Sequence, residues 1–229
     1  MLPGMMCDAR LFAPQIEAFE ANYDIIVPSL FSPASIQGMA ERILGEVGVQ
    51  RFNLLGLSMG GIVAMAMAGL APHRVARLAL LDTNHQADAP ERRSMRNRQI
   101  AAVRNGQLRA VIVDEMKPNY LASRNRGNNQ LLGTLIEMAV DLGPDCFVAQ
   151  SIALRDRPDQ SRMLKDYPGS VLILCGAEDT LCPVSRHEDM ARLCQSAHLS
   201  IIAFAGHMTT LERPAETTRK IAAWLRSTV

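Results

Sequence analysis

Ser58 stands in the middle of Gly56-Leu57-Ser58-Met59-Gly60, a G-x-S-x-G pattern. A serine hydroxyl becomes a useful nucleophile when it is lifted clear of its own backbone, given a base, and set beside donors that can receive an oxyanion. The surroundings suit that chemistry. Phe52 to Leu55 is a short apolar run that reads as a buried strand, and Gly60 to Ala71 reads as a helix. On a sharp strand-to-helix turn the flanking glycines let neighbouring backbones approach without a Cβ clash. The turn also aims N–H groups at the positive end of the helix toward a developing negative charge. Taken alone, the five letters also fit an ordinary glycine-rich turn. Strand before and helix after are what separate the two readings.

A serine nucleophile needs a base and a group to orient that base. His207 follows the apolar run Leu199–Phe204 and comes directly after Gly206. Asp179 lies in the Gly176–Thr180 loop that closes the run Ser170–Cys175. In a parallel sheet both loops fall at the carboxyl edge that presents Ser58, so three residues distant in sequence are expected to converge. Ser58 would attack, His207 would carry its proton, and Asp179 would fix the imidazole tautomer. Asp82, also at a strand end, is a rival acid, and Glu178 is a weaker one. His73, His187 and His198 read as surface or core residues. His85 reads as a solvated loop residue that could touch substrate. Cys7 and Cys182 fall near the same loops, but they lack the strand–turn–helix setting and read as buried or incidental thiols.

The elements that must hold these residues alternate. Pro14–Glu20 reads as a helix, Tyr23–Val27 as a strand, Ile36 to about Glu46 as a helix capped by Ser35, and Val75–Leu81 as a strand ending at Asp82. Such alternation points to an α/β fold with a parallel sheet covered on both faces. After Thr83 the rhythm stops. Glu91–Val103, Leu108–Met116, Leu131–Leu142 and Asp145–Leu154 all show helical spacing of apolar positions. Residues 84–165 therefore read as a helical cap inserted into a core formed by 1–83 and 166–229. Within the second part of the core, Pro183–Leu193 and Ala215–Leu225 read as helices.

Composition limits the alternatives. The chain has 229 residues, 24 basic and 23 acidic, with a net charge of +1. That balance gives no reason to expect nucleic acid or a membrane surface as the partner. No apolar run approaches the ~20 residues needed to cross a bilayer. No basic segment followed by an apolar stretch opens the chain, and five unpaired-looking cysteines fit a reducing compartment, so a cytoplasmic location is expected. There is no metal-ligand spacing, phosphate-binding loop or dinucleotide fingerprint, so no cofactor is expected.

Together, Leu2-Pro3-Gly4, Gly56–Gly61, Gly176–Asp179, and Gly206-His207 with Leu211-Glu212-Arg213-Pro214 give the sequence a clear resemblance to the α/β-hydrolase superfamily over nearly its whole length. It is most similar to the compact group that includes esterases and 3-oxoadipate enol-lactonases. The resemblance implies a Ser58–Asp179–His207 triad acting on a small carboxylic ester or lactone. It also implies an oxyanion hole built from the Met59 and Met5 amides. Alternatives on the same residues are cofactor-free perhydrolase or haloperoxidase chemistry, and a slow-turnover ligand sensor. The sequence departs from the family twice. Pro3 stands where a histidine is usual, which removes side-chain contacts but leaves the Met5 amide. The two strands and most of a third that usually precede Leu2-Pro3-Gly4 are missing. That leaves the Tyr23 strand near an open edge, with two expected remedies: residues upstream of Met1, or a second copy of the chain as a homo-oligomer.

Two features bear on substrate. Met5, Met6, Met59 and Met208 adjoin the expected catalytic positions and suit an adaptable apolar pocket, though they equally suit simple packing. Residues 84–130 carry eight Arg and one Lys against two Asp and two Glu. A solvated helix face is the favoured reading of that excess; the alternative is an inward arginine, among Arg92, Arg93 and Arg96, that clamps a substrate carboxylate.

Overall fold

Four parallel strands lie side by side in chain order in the computed structural model, which describes residues 1–48 and 50–226. They are β1 (Phe52–Leu57), β2 (Val75–Leu81), β3 (Val171–Gly176) and β4 (Ala197–Ile202). The register pairs Gly56 with Leu80, Leu80 with Ile173, and Leu174 with Ser200. All six residues of β3 are buried, as an uninterrupted apolar run requires when helices cover both faces of a sheet.

The helices follow from the crossovers. Right-handed β–α–β connections in a sheet ordered 1-2-3-4 put α3 (Met59–Leu70) and α8 (Val184–Leu193) on one face. On that face α2 (Ile36–Glu46) packs on α3, and α7 (Ser161–Asp166) touches both α3 and α8. Ser35 caps α2 by accepting from the Gly38 N–H at 3.1 Å. On the other face α1 (Ala13–Phe19) packs against α10 (Pro214–Arg226). Helix α3 is apolar on every side, and nine of its twelve residues are buried. Such a helix is stable only when enclosed.

Between β2 and β3 the described chain is helical. Helix α4 (Pro90–Arg104) packs on α6 (Asn129–Arg155). Between them a short α5 (Leu108–Ala110) widens into a π-type turn over Val111–Met116 and tightens at Lys117–Tyr120. The two helices expected over 131–142 and 145–154 form one span broken at Gly143, whose φ of 79° is open to glycine and which is followed by Pro144. A four-residue α9 (Thr209–Glu212) leads into α10. No described helix is long and apolar enough to cross a membrane.

Contrary to expectation, no strand forms over Tyr23–Val27. A strand needs a row of backbone partners. Among the described residues this segment makes isolated backbone bonds, Tyr23 N to the Phe19 carbonyl at 3.0 Å and the Met1 amine to the Ile26 carbonyl at 2.7 Å, while Leu2 makes a single bridge to Gly56. Tyr23 and Ile26 remain exposed.

The strand–turn–helix unit depends on backbones in contact. A Cβ on Gly60 would lie 2.0 Å from the Leu2 carbonyl oxygen, and one on Gly56 would lie 2.2 Å from the Gly60 carbonyl oxygen. In an open helix, Gly→Ala stabilises by about 1 kcal/mol. Here Gly60→Ala is expected to destabilise by about 1–3 kcal/mol, because neither backbone can give way cheaply. Urea unfolding checks the sign; an unchanged or raised midpoint would contradict the contact.

Candidate active site

Ser58 has φ 55° and ψ −116°, a conformation L-residues adopt rarely and at a cost of about 1–3 kcal/mol. Three neighbours hold it there. The Ser58 N–H donates to the Leu81 carbonyl at 2.9 Å. Its own carbonyl accepts from the Thr83 hydroxyl at 2.7 Å and from the Ile62 N–H at 3.2 Å. The side chain is thereby pushed out at the end of β1, over the start of α3.

The structure brings the three residues expected from sequence into one hydrogen-bonded row. Ser58 Oγ lies 2.8 Å from His207 Nε2, and His207 Nδ1 lies 2.8 Å from Asp179 Oδ2. His207 and Asp179 are both buried. Burial by itself would raise the Asp179 pKa, but the His207 charge and hydrogen bond, helped by the Cys182 N–H, hold it below the usual carboxylate value. Its other oxygen accepts from Leu181 N and Cys182 N, both at 2.9 Å. Asp82, the rival acid, turns elsewhere. It accepts from Gly176 N at 3.0 Å and lies 2.5 Å from the Thr209 hydroxyl. Burial, and then the negative charge of Asp179, push the Asp82 pKa well above normal. Glu178 is exposed to solvent at its carboxylate and accepts from Ser123 instead.

The loop after Leu2 faces the same point. Met6, with φ 54°, gives its N–H to Gln150 Oε1 at 2.8 Å, and Cys7 gives its N–H to the Gly4 carbonyl at 3.1 Å. The Met5 N–H makes no hydrogen bond among the described residues. Met59 is the first residue of α3, where N–H groups lack intrahelical partners. Gln150 is fixed in turn by donating to the Leu30 carbonyl at 3.2 Å, and the buried Lys117 ammonium lies 3.4 Å from the Met6 carbonyl.

Glu212 ties the histidine loop to the helices between β2 and β3. Its carboxylate accepts from Gly206 N (2.8 Å), Ala122 N (2.7 Å) and Asn125 Nδ2 (2.8 Å). His207 N donates to the Tyr120 carbonyl at 2.7 Å, and the Tyr120 ring meets the imidazole edge-on at 5.4 Å. Glu212 lies inside the Leu211–Pro214 motif, and nothing in the motif itself marks its role. Its place beside His207 is a sequence signal, whereas its partners Ala122 and Asn125 lie some ninety residues away and leave none. His85 departs from its expected solvated place; it is buried, and its carbonyl accepts from Gln160 N at 2.8 Å.

Above Ser58 and His207 lies a cavity of about 460 Å³ between the carboxyl edge and helices α4 and α6. Met5, Met59, Met95 and Met116 supply much of its apolar wall, and Arg92, Arg96 and Arg157 reach its lining. Arg93 instead points to solvent and pairs with Asp156. Neither cysteine is primed as a nucleophile. Burial pushes the Cys182 thiol up to about 12, with Asp179 adding to the shift, and burial also raises Cys7. Ligand atoms of Asp179, Cys182 and His207 do lie within 4.8 Å of one another. They fit a metal poorly, because the thiolate is disfavoured and both Asp179 oxygens already accept hydrogen bonds.

The pattern of the Alpha/beta hydrolase family matches residues 7–220, and the chain belongs to that family. An esterase from Thermogutta terrifontis superposes with a TM-score of 0.90 at 27% identity, over 98% of this chain and 88% of that one. The enol-lactonase of Burkholderia xenovorans LB400 shares the fold, with a TM-score of 0.86 at 19% identity over 99% and 89%. In sequence, the chain is 28% identical over 184 residues to the dihydrolipoyllysine-residue acetyltransferase component of the acetoin cleaving system of Pseudomonas putida. That match covers 80% of this chain and 48% of the relative, and the chain spans about half the length of the curated relatives it matches.

A buried histidine behind the site makes stability depend on pH. Thr83 N–H donates to His187 Nε2 at 3.0 Å, which puts the ring proton on Nδ1, 3.3 Å from the Pro183 carbonyl. Burial lowers the His187 pKa to about 4. A group kept neutral this way contributes fully above its unfolded pKa of about 6.5, and the contribution declines as pH falls toward 4, to a loss of about 3 kcal/mol. His187→Gln is therefore expected to flatten the fall in stability between pH 6.5 and 4.5. Urea unfolding at both pH values checks this, and an equal fall in wild type and variant would contradict it.

Proposed function

We propose that this protein is a serine hydrolase that cleaves a small carboxylic ester or lactone through an acyl-Ser58 intermediate. One observation carries the reading: the unbroken row Ser58 Oγ, His207 Nε2, His207 Nδ1, Asp179 Oδ2, with 2.8 Å at each hydrogen bond, opening on a cavity of about 460 Å³. The ester activity in the name of the Thermogutta terrifontis relative supports it.

The chemistry follows from the geometry. Ser58 Oγ attacks the carbonyl carbon while its proton passes to His207 Nε2. The carbonyl oxygen becomes an oxyanion and receives hydrogen bonds from the Met5 and Met59 amides, for which no other acceptor is found among the described residues. The tetrahedral centre collapses, the bond to the leaving oxygen breaks, and His207 returns its proton to that oxygen. A water molecule then gives a proton to His207 and attacks the acyl carbon, which releases the acid and restores Ser58. Asp179 keeps the imidazole in the tautomer with its proton on Nδ1 and offsets the charge that forms during each transfer.

Fluorophosphonate labelling beside turnover of p-nitrophenyl esters from acetate to octanoate tests the reading. The wild type is expected to label and turn over repeatedly. Ser58→Ala is expected to lose labelling, with turnover lower by on the order of 10⁴–10⁶. Asp179→Asn should keep the fold and lose about 10⁴ in turnover. Labelling that persists in Ser58→Ala, or a folded wild type that neither labels nor turns over, would overturn the reading. Labelling followed by a single turnover would instead favour a ligand sensor.

A further inference from the structure

The charges around the cavity do not balance locally. Arg96 and Arg157 are both buried, and they share one carboxylate: Asp88 lies 2.5 Å from Arg96 Nε and 2.7 Å from Arg157 Nη1. Arg157 spends its Nε–H on the Gln86 carbonyl at 2.8 Å. Among the described residues the partner of Arg96 Nη1 is the Met5 sulfur, at 3.7 Å, beside the loop that faces Ser58. Arg92 lines the same cavity and donates from Nη2 to the Leu181 carbonyl at 3.3 Å. No ion pair of Arg92 is found among the described residues. Three guanidinium groups thus face one paired carboxylate. Glu91 and Glu115 also reach the lining, but both are exposed, and neither pairs with these arginines; Glu115 accepts from Gln99 at 3.0 Å.

Buried cations are costly unless a counter-charge arrives. A guanidinium with unused N–H donors is shaped to receive a carboxylate through two parallel hydrogen bonds. The geometry points to a substrate that is itself an acid: an ester or lactone carrying a free carboxylate, which Arg92 and Arg96 bind while the ester group lies at Ser58. The apolar wall formed by Met5, Met59 and Met116 suits the short aliphatic stretch between the two ends. This inference rests on reading the cavity as the substrate site. It assigns the arginines of α4 an inward task in place of the solvated helix face favoured from sequence. Arg93, which points outward and pairs with Asp156, keeps the solvated role.

Two measurements separate this inference from the hydrolase reading. The first is equilibrium binding of glutarate, and of neutral pentanamide, to Ser58→Ala and to Ser58→Ala with Arg92→Gln. Glutarate is expected to bind more tightly than pentanamide and to lose at least tenfold in affinity when Arg92 is replaced. The second is the ratio of kcat/KM for p-nitrophenyl hemiglutarate over p-nitrophenyl pentanoate. That ratio is expected to fall at least tenfold in Arg92→Gln, mainly through KM, and to hold in Arg93→Gln. Glutarate binding that is weak or indifferent to Arg92, with an unchanged ratio, would overturn the anion site while leaving ester hydrolysis intact. Arg92-dependent glutarate binding on the Ser58→Ala background, beside a folded wild type that hydrolyses neither ester, would support the anion site and fail the hydrolase reading.

Discussion

The contact between the Leu2 carbonyl and Gly60 is the constraint on which the rest of the site depends. At that point three backbones meet: the end of the N-terminal segment, the turn after β1, and the first turn of α3. Leu2 N donates to Leu55 O at 2.8 Å and Leu57 N donates to Leu2 O at 3.1 Å, so the N-terminal segment is tied to β1 beside this contact. A side chain at position 60 would push them apart, and with them the Met5 amide and the Ser58 hydroxyl. The unfavourable φ of Ser58 persists because this packing, the bond to Leu81 and the Thr83 hydroxyl leave the turn no relaxed alternative. The apolar α3 supplies the burial that offsets this strain.

The same sheet edge buries several ionisable groups, and their partners sort them. Asp179 has an imidazole and two backbone N–H groups, and it stays in the charged form. Asp82 is driven toward the neutral form by its burial first and by the charge of Asp179 second. His187 is buried without an acid bonded to it and is held neutral. The result is one charged carboxylate at the row's end, pointed at His207, in an enclosed setting where its influence is weakly screened. Glu212 complements this arrangement from outside: by joining Gly206 to Ala122 and Asn125, it makes the position of His207 depend on the helices that wall the cavity.

How far the sequence foretold this varies with the kind of signal. β3 was legible because a central parallel strand must be apolar throughout, and Val171–Gly176 is. The Ser58 turn was legible because only glycine fits at 56 and 60. Asp179 and His207 were legible from loop position once a parallel sheet was assumed, but that argument could not separate Asp179 from Asp82, since both end strands. Only the direction each side chain faces does so. The break at Gly143 is visible in Gly-Pro, whereas the wide turn over Val111–Met116 leaves no local mark. Tyr23–Val27 has the composition of a strand, yet a strand is a relation between chains, and composition cannot supply the missing neighbour. The shared use of Asp88 joins nearby Arg96 to distant Arg157, and that second link has no sequence signal at all.

The central claim is that Ser58 carries the acyl group between two half-reactions. Rapid mixing with p-nitrophenyl acetate, followed by acid quench and peptide mass analysis, tests it most directly. The expected result is a burst of one p-nitrophenolate per chain, with an acetyl group on the peptide containing Ser58. Turnover without a burst and without any adduct on that peptide, under conditions where deacylation is slowed by low temperature, would contradict the account.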